Sequence, residues 1–304
     1  MIKRLKYHQI DFIKYQKTLS GACQLSDFAQ KEFLNIVADK NWGLLVYGDY
    51  EAIMPVAWSD HFGIKIVQMP ILCHQLGIFS KEDNIEINHQ FYLFLMKNFA
   101  VSYYAFNKDN GFPIDLQQKK SYKISKNAYE NVKKNYHIHR RRNVRHTADI
   151  KEYADFKRNI IPGEKIEEFF LGNIKGLKSL SLRKKYWEVI KKLIEAGLFR
   201  TCQLTYKDEL KSFAGIYSSK HANYLSIFIS AVKLENKNIP SIIVDDELQH
   251  SIADKDFDFM GSNVPNVAAF NERFGAEVYY FSIFVSKKLN VISKVIKLYF
   301  RKNR

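Results

Sequence analysis

One order of elements is written twice along this chain, and that repeat limits its fold more than any other feature. In the first half, residues 2–10 alternate like a strand, and a helical stripe over 25–37 carries Phe28, Phe33 and Leu34. Gly48-Asp49 then parts two β-rich runs, 42–47 and 51–58, as a hairpin turn does. A short strand at 64–68 stops at Pro70, a helix is predicted over 85–98, and 101–106 has the β-branched and aromatic make-up of a strand. The second half repeats the order: strand 150–156, helix 164–171, then Leu182, Tyr186, Ile190 and Leu193 as the stripe of a helix closed by Gly197. A hairpin follows at 201–206 and 211–218, then strand 224–232, helix 241–253, strand 257–260, helix 264–274 opened by Pro265, and strand 279–285. Each half predicts an α/β (α+β) unit, a mixed sheet with helices on both faces. The expected domains are 1–120 and 121–286, divided within the Lys/Gln/Ser-rich stretch 117–126, with a separate basic segment at 287–304.

Composition narrows the classes further. With 46% hydrophobic residues, 23 Phe and 18 Tyr, the chain can build cores, which excludes wholesale disorder. No apolar run approaches the roughly 20 residues of a membrane span. The opening MIKRLKYHQIDF turns charged too early for a signal peptide, and Cys23, Cys73 and Cys202 lie too far apart for a disulfide framework or a metal site. The expectation is a soluble, cytoplasmic protein without a metal.

The net charge of +15 is concentrated: residues 119–149 carry +8 and residues 287–304 carry +7. Such clusters suit anionic partners or simply keep a face solvated. No helix-turn-helix or zinc-finger pattern accompanies them, so sequence-specific DNA binding is not expected. His137, His139 and His146 sit among Arg140, Arg141, Arg142 and Arg145, whose charge repels a metal ion. Arg141 and Arg145, one helical turn apart, could clamp a phosphate. The absence of a Gly-x-Ser-x-Gly elbow or a Cys-His signature argues against a covalent hydrolase.

Three motifs carry a resemblance. Val46 to Pro55 (VYGDYEAIMP), His74 to Ser80 (HQLGIFS), and Asp258-Phe259-Met260-Gly261-Ser262 running through Pro265 and Phe270 to Arg273-Phe274-Gly275-Ala276 occur in the expected order. Together with the element order they resemble a FemAB-related, tandem GNAT-like group common in Bacteroidetes-type bacteria, over nearly the whole chain. The resemblance implies a bacterial acyltransferase of acetyltransferase or aminoacyltransferase type. It passes an acyl or aminoacyl group to a substrate amine, without a covalent enzyme intermediate. The donor it implies is acetyl-CoA or another acyl-CoA, with aminoacyl-tRNA as the alternative; the acceptor is a small molecule or a cell-envelope precursor. Strand 224–232 would supply an oxyanion amide, and Ser230 or Tyr217 would assist the proton or the leaving group. Two departures stand out: the segment 234–240 lacks the glycines of a CoA-pyrophosphate loop, and Met260 stands where relatives often carry an acid. Both favour a second expectation, a non-catalytic protein of the same fold that binds a glycan or lipid-linked precursor.

Several residues keep two readings. His74 and Gln75 either hydrogen-bond a polar substrate or tie their loop to its neighbours. Asp258 is a base at a strand end or a cap on the following turn. Gly261, Ser262 and Asn263 either shape a helix entry or form an anion site there. At 289–304, Leu289, Ile292, Ile296 and Tyr299 make an apolar stripe flanked by Lys and Arg. That is a helix that docks on the second domain or lies at the inner face of an anionic membrane.

Overall fold

The computed structural model describes residues 1–61, 64–231, 234, 236–261 and 263–286. The segment 287–304, with its expected amphipathic helix, lies outside the described residues, as does Ser262. Two units separate: Met1–Lys119 together with the described residues from Tyr280 onward, and Lys120–Tyr279. From Tyr280 onward the last strand belongs to the first unit.

In the first unit β1 (Ile2–Lys6), α1 (Phe12–Gly21), α2 (Lys31–Val37), β2 (Trp42–Tyr47), β3 (Ala52–His61), β4 (Ile64–Gln68), β5 (Phe79–Ser80), α3 (Ile85–Asn98) and β6 (Ala100–Ala105) follow in order. The strands pair β1-β2-β3-β4-β6, and β5 joins β3. Every pair is antiparallel except β4 with β6, which α3 connects by a crossover. The stripe expected over 25–37 is interrupted: a 3-10 turn at Asp27–Ala29 precedes α2, yet Phe28, Phe33 and Leu34 are all buried. The helix α1 was not foreseen. Asp11 caps it by accepting from the amides of Ile13 and Lys14, at 3.0 and 3.1 Å.

The second unit holds most of β7 (Gln117–Ile124), then α4 (Tyr129–Lys134), α5 (Ile138–His146), α6 (Ala148–Tyr153), β8 (Asp155–Arg158), α7 (Glu164–Asn173), α8 (Leu180–Glu195), β9 (Phe199–Tyr206), β10 (Glu209–Ser218), β11 (Ala222–Ser230), α9 (Ile239–Ser251), β12 (Asp256–Asp258), α10 (Pro265–Glu272) and the first residues of β13 (Glu277–Phe284). Its strands pair β7-β12-β11-β10-β9-β8. Again one pair is parallel, β11 with β12, and again a helix, α9, makes the crossover. The end of β13 pairs with β6 through Ile283–Ala105 and Phe284–Tyr104.

Two expectations are corrected. The stretch 150–156 is not one strand. Ile150 and Ala154, four residues apart, both pack on the core, and that spacing closes α6 before β8 begins. The stretch 117–126 is not a bare connector. Its residues 117–124 form β7, which buries Ser121, Tyr122 and Ile124 and pairs with β12. Among the described residues no helix is long and apolar enough to cross a membrane.

A polar latch holds the first unit's loop between β4 and β5. Asn110 brackets Ile78, accepting from its amide at 2.9 Å and donating to its carbonyl at 2.8 Å. Tyr104 accepts from the Gly77 amide and donates to the Pro55 carbonyl at 2.9 Å. Gly77, at φ +113, leaves no room for a Cβ, which would stand 2.4 Å from both the Asn107 amide and Asn110 Oδ1. Gly176 has φ +87 and open space around it. Gly77→Ala therefore costs about 3 kcal/mol in urea unfolding, whereas Gly176→Ala costs only the left-handed backbone's roughly 1 kcal/mol; equal losses would refute the latch.

Candidate functional site

The parallel pair of the second unit is short. Ala222, Asn223 and Tyr224 of β11 face Asp256, Phe257 and Asp258 of β12, and there the pairing stops. Just past that point β11 carries a bulge. Gly215 of β10 faces Ile227 and Ile216 faces Leu225, so Ser226 is the extra residue, outside the ladders on both sides. The two strands thus fork, with Ser226 on one arm and Asp258 at the foot of the other.

Asp258 is 6% exposed and holds three donors. Its Oδ1 accepts from the Met260 amide at 2.7 Å and the Ser121 hydroxyl at 3.2 Å, and its Oδ2 accepts from the Tyr279 hydroxyl at 2.6 Å. Burial nonetheless pushes its carboxyl from 3.8 up to about 6, outweighing those hydrogen bonds. The cap expected from the sequence is present, made by Asp258 Oδ1 on the Met260 amide. The turn it caps places Met260 at φ +53 and Gly261 at φ +80. The Gly261 amide donates to Ser121 Oγ at 2.6 Å, and the Ser226 hydroxyl reaches Met260 Sδ at 3.1 Å, tying the arms of the fork together.

A concavity of about 410 Å³ lies at the start of α9, lined by Arg140, Lys237, Asn238, Ser241, Phe270 and Arg273 among others. The resemblance read from the sequence expects a pyrophosphate-binding loop at 234–240, beside this concavity. Three amides there are engaged within the chain. Ile239 donates to the Asn236 carbonyl, Asn238 to Asn236 Oδ1, and Ser241 to the Asn238 carbonyl, while Pro240 has none. The side chains of Lys237 and Arg273 in this lining suit a phosphate. Arg140 is 2% exposed, bonded to Ser241 Oγ and to the Phe270 carbonyl at 3.0 Å, with its guanidinium 4.3 and 4.0 Å from the Phe270 and Phe274 ring centroids. Burial, with Arg273 nearby, lowers its pKa to about 10.

The remaining candidates are dispersed. Arg141 and Arg145 are exposed on α5, and the arginine turned inward is Arg140. Tyr217 is buried in a stack, 6.1 Å from Phe199 and 5.8 Å from Tyr224. Ser230 lies beyond the fork, 2.9 Å from Ser212 Oγ. Asn263 is exposed, and α10 is entered through Val264 without a side-chain cap. His74 and Gln75 belong to the first unit. Gln75 Oε1 ties down the Lys108 amide at 2.9 Å. His74, between Phe28 and Phe281, is lowered to about 4 by burial and the Lys119 charge, so its imidazole is neutral at pH 7. Sequence reasoning missed Ser121, Ser226, Tyr279 and Arg140. Only Arg140 left a signal: Arg140, Val144 and Thr147 recur at helical spacing and face inward. Among the described residues no group of three His, Cys, Asp or Glu could hold a metal ion.

No protein-family model and no curated protein matches the sequence. Solved structures do. The crystal structure of FemX superposes with a TM-score of 0.60 at 9% identity, covering 94% of this chain and 98% of that one. L-PGS from Bacillus licheniformis gives 0.53 at 10%, covering 97% of each chain. A tandem GNAT protein from the clavulanic acid biosynthesis pathway gives 0.52 at 10%, covering 93% of this chain and 97% of that one. The fold is therefore the FemAB-related, tandem GNAT-like one.

The raised pKa of Asp258 has a definite sign. Between about 4 and 6 the folded protein holds this proton and the unfolded chain does not. Its contribution is full below 3.8 and is lost as pH rises through about 6. Wild type should lose up to about 3 kcal/mol of unfolding free energy over that window from this group. Asp258→Asn, which can still accept from Met260 and pair with Tyr279, should not. Parallel pH profiles for the two proteins would contradict the assignment.

Proposed function

We propose that the protein transfers an acyl or aminoacyl group from a phosphate-bearing carrier to a substrate amine by direct attack. One observation carries this reading: the fork between β11 and β12, with a bulged backbone on one arm and a poised carboxylate on the other. The amine nitrogen attacks the carbonyl carbon, forming the new C–N bond. The oxyanion is stabilised by backbone N–H at the Ser226 bulge. Asp258, mostly ionised at neutral pH, takes the amine's proton, and Tyr279 holds its second oxygen in place. Collapse breaks the bond to the carrier, whose thiolate or alkoxide leaves. Lys237 and Arg273 would hold the carrier's phosphate, standing in for the missing glycine loop. Acetyl-CoA and aminoacyl-tRNA both satisfy this chemistry.

The engaged amides at α9 and the thioether of Met260 at the fork favour a second reading, a binding protein that keeps the fold without the reaction. Thermal-shift titration with acetyl-CoA and with bulk tRNA separates the two. The transferase reading expects stabilisation by one donor, lost in the Lys237→Gln/Arg273→Gln variant. It also expects Asp258→Asn to lower turnover roughly a hundredfold and to remove a pH-rate limb near 6. Stabilisation by neither donor would leave the binding protein as the better account.

A further inference from the structure

Helix α3 of the first unit carries two apolar stripes, and only one of them is buried. Asn88, Phe91 and Leu95 form the buried one. Ile85, Tyr92, Leu93 and Met96 recur at spacings of 7, 1 and 3, which at about 100° per residue gathers them on one arc beside the buried face. His89 lies within the same arc, stacked on Tyr92. Yet Ile85, Leu93 and Met96 are 46%, 42% and 40% exposed. Single apolar residues on a surface need no explanation, but a stripe along three turns of one helix does.

The described residues end beside this stripe. The Ser286 amide donates to the Val101 carbonyl at 2.8 Å, just past the C-terminal end of α3 at Asn98. Two residues earlier, Phe284 of β13 meets the Tyr92 ring edge to face at 4.9 Å. The strand that leads out therefore already covers one border of the stripe. Residues 287–304 lie outside the described residues. In their sequence Leu289, Ile292, Ile296 and Tyr299 repeat at 3, 4 and 3, and Lys297 and Arg301 follow beside that stripe.

We infer that the segment 289–301 of this chain docks as a helix, antiparallel, on the exposed stripe of α3. Direction follows from the exit point: a segment that leaves beside the C-terminal end of α3 can follow it only toward its start. Length agrees, since Leu289 to Tyr299 spans about 15 Å of helix and Ile85 to Met96 about 17 Å. Charge agrees as well. Glu86 borders the stripe on the side away from Tyr92, and Glu82 precedes the helix; both are exposed, and neither makes an ion pair among the described residues. Lys297 and Arg301 lie on the same angular side of their own stripe, and antiparallel helices bring like sides together. The pairing sets Leu289 at Met96, Ile292 at Leu93 and Tyr299 at Ile85, with Lys297 and Arg301 within reach of Glu86 and Glu82. Neither the fork nor the concavity at α9 takes part, so this surface stands or falls independently of the proposed reaction.

The test is disulfide capture in the full chain carrying Cys23→Ser, which removes the exposed native thiol. Under mild oxidation Leu93→Cys/Ile292→Cys should close an intramolecular disulfide, read as faster migration on a non-reducing gel. Leu93→Cys/Lys294→Cys, whose second thiol sits on the far side of the docked helix, should close about tenfold more slowly. Thermal unfolding supplies a readout without cysteines. Leu93→Asp and Ile292→Asp should each lower the midpoint by about 3 °C, and the double variant should fall no further. Sedimentation with phosphatidylglycerol vesicles should be the same for wild type and Ile292→Asp. The inference is overturned if the two cysteine pairs close at equal rates, or if the two aspartates act additively or without effect. Vesicle binding that Ile292→Asp abolishes would equally overturn it, by assigning the apolar stripe of the segment to a membrane.

Discussion

The second unit is organised around carboxylates that α9 carries into the interior. Asp245, Asp246 and Glu247 are 1%, 5% and 2% exposed, a row of three acids that no protein buries without compensation. Each is answered from a different element. Tyr129 and Tyr136, on and just after α4, donate to Asp245 at 2.8 and 3.1 Å; Arg158 of β8 pairs with Asp246; Arg200 of β9 meets Glu247 at 2.6 Å. Lys151 of α6 stands 3.5 Å from Asp245. A helix of apolar residues alone could slide or rotate on its sheet. This one is fixed in rotation and register by partners that must all be in place, because removing one leaves a buried charge at a cost of about 3–5 kcal/mol. The start of α9, and the cleft beside it, inherit that fixed position.

The same logic explains why both units contain a single parallel pair. A parallel pair needs a crossover, and a crossover helix must lie on the sheet that its two strands define. In the first unit the pair β4–β6 is followed by the latched loop of Gly77 and Asn110, which closes the end of the strands with hydrogen bonds. In the second unit the pair β11–β12 ends after three residues in a bulge and a turn of left-handed residues. One copy of the design is closed by a hydrogen-bonded loop; the other ends in a backbone bulge and a buried carboxylate held by three donors.

Much of this architecture was legible from periodicity. Strand 64–68 and helix 85–98 appear with those bounds, and both hairpins are present, one turning at Gly48-Asp49 and the other between the runs 201–206 and 211–218. What escaped was structure whose residues look polar along the chain. Residues 117–124 read as a connector because lysines and glutamines alternate there with only two strongly apolar residues, Tyr122 and Ile124; the strand exists because β12 supplies its partners. The site failed to show for a related reason. Ser121, Ser226 and Tyr279 come from three strands and meet only through Asp258 and the turn after it, a convergence that no spacing encodes. Asp258 itself was found because it opens the Asp258-Phe259-Met260-Gly261-Ser262 motif at a strand end.

Charge shows how far a linear reading can mislead. The run 119–149 is the most basic stretch of the described chain, yet much of it is used internally. Lys119, Lys120 and Lys133 lie over the rings of Tyr103, Tyr122 and Tyr129, at 4.7, 5.4 and 5.3 Å, Lys123 pairs with Asp256, and Arg140 is buried between two phenylalanines. A cation resting on a ring or beside a carboxylate has less to offer an outside anion than its formal charge suggests. By contrast, Lys6, Lys40 and Lys65 are scattered over sixty residues that carry no conspicuous charge run, and pairing of β1 with β2 and β3 with β4 gathers them into one cleft. The sheet's register, rather than the density of lysines along the chain, decides where a positive potential is available to a ligand.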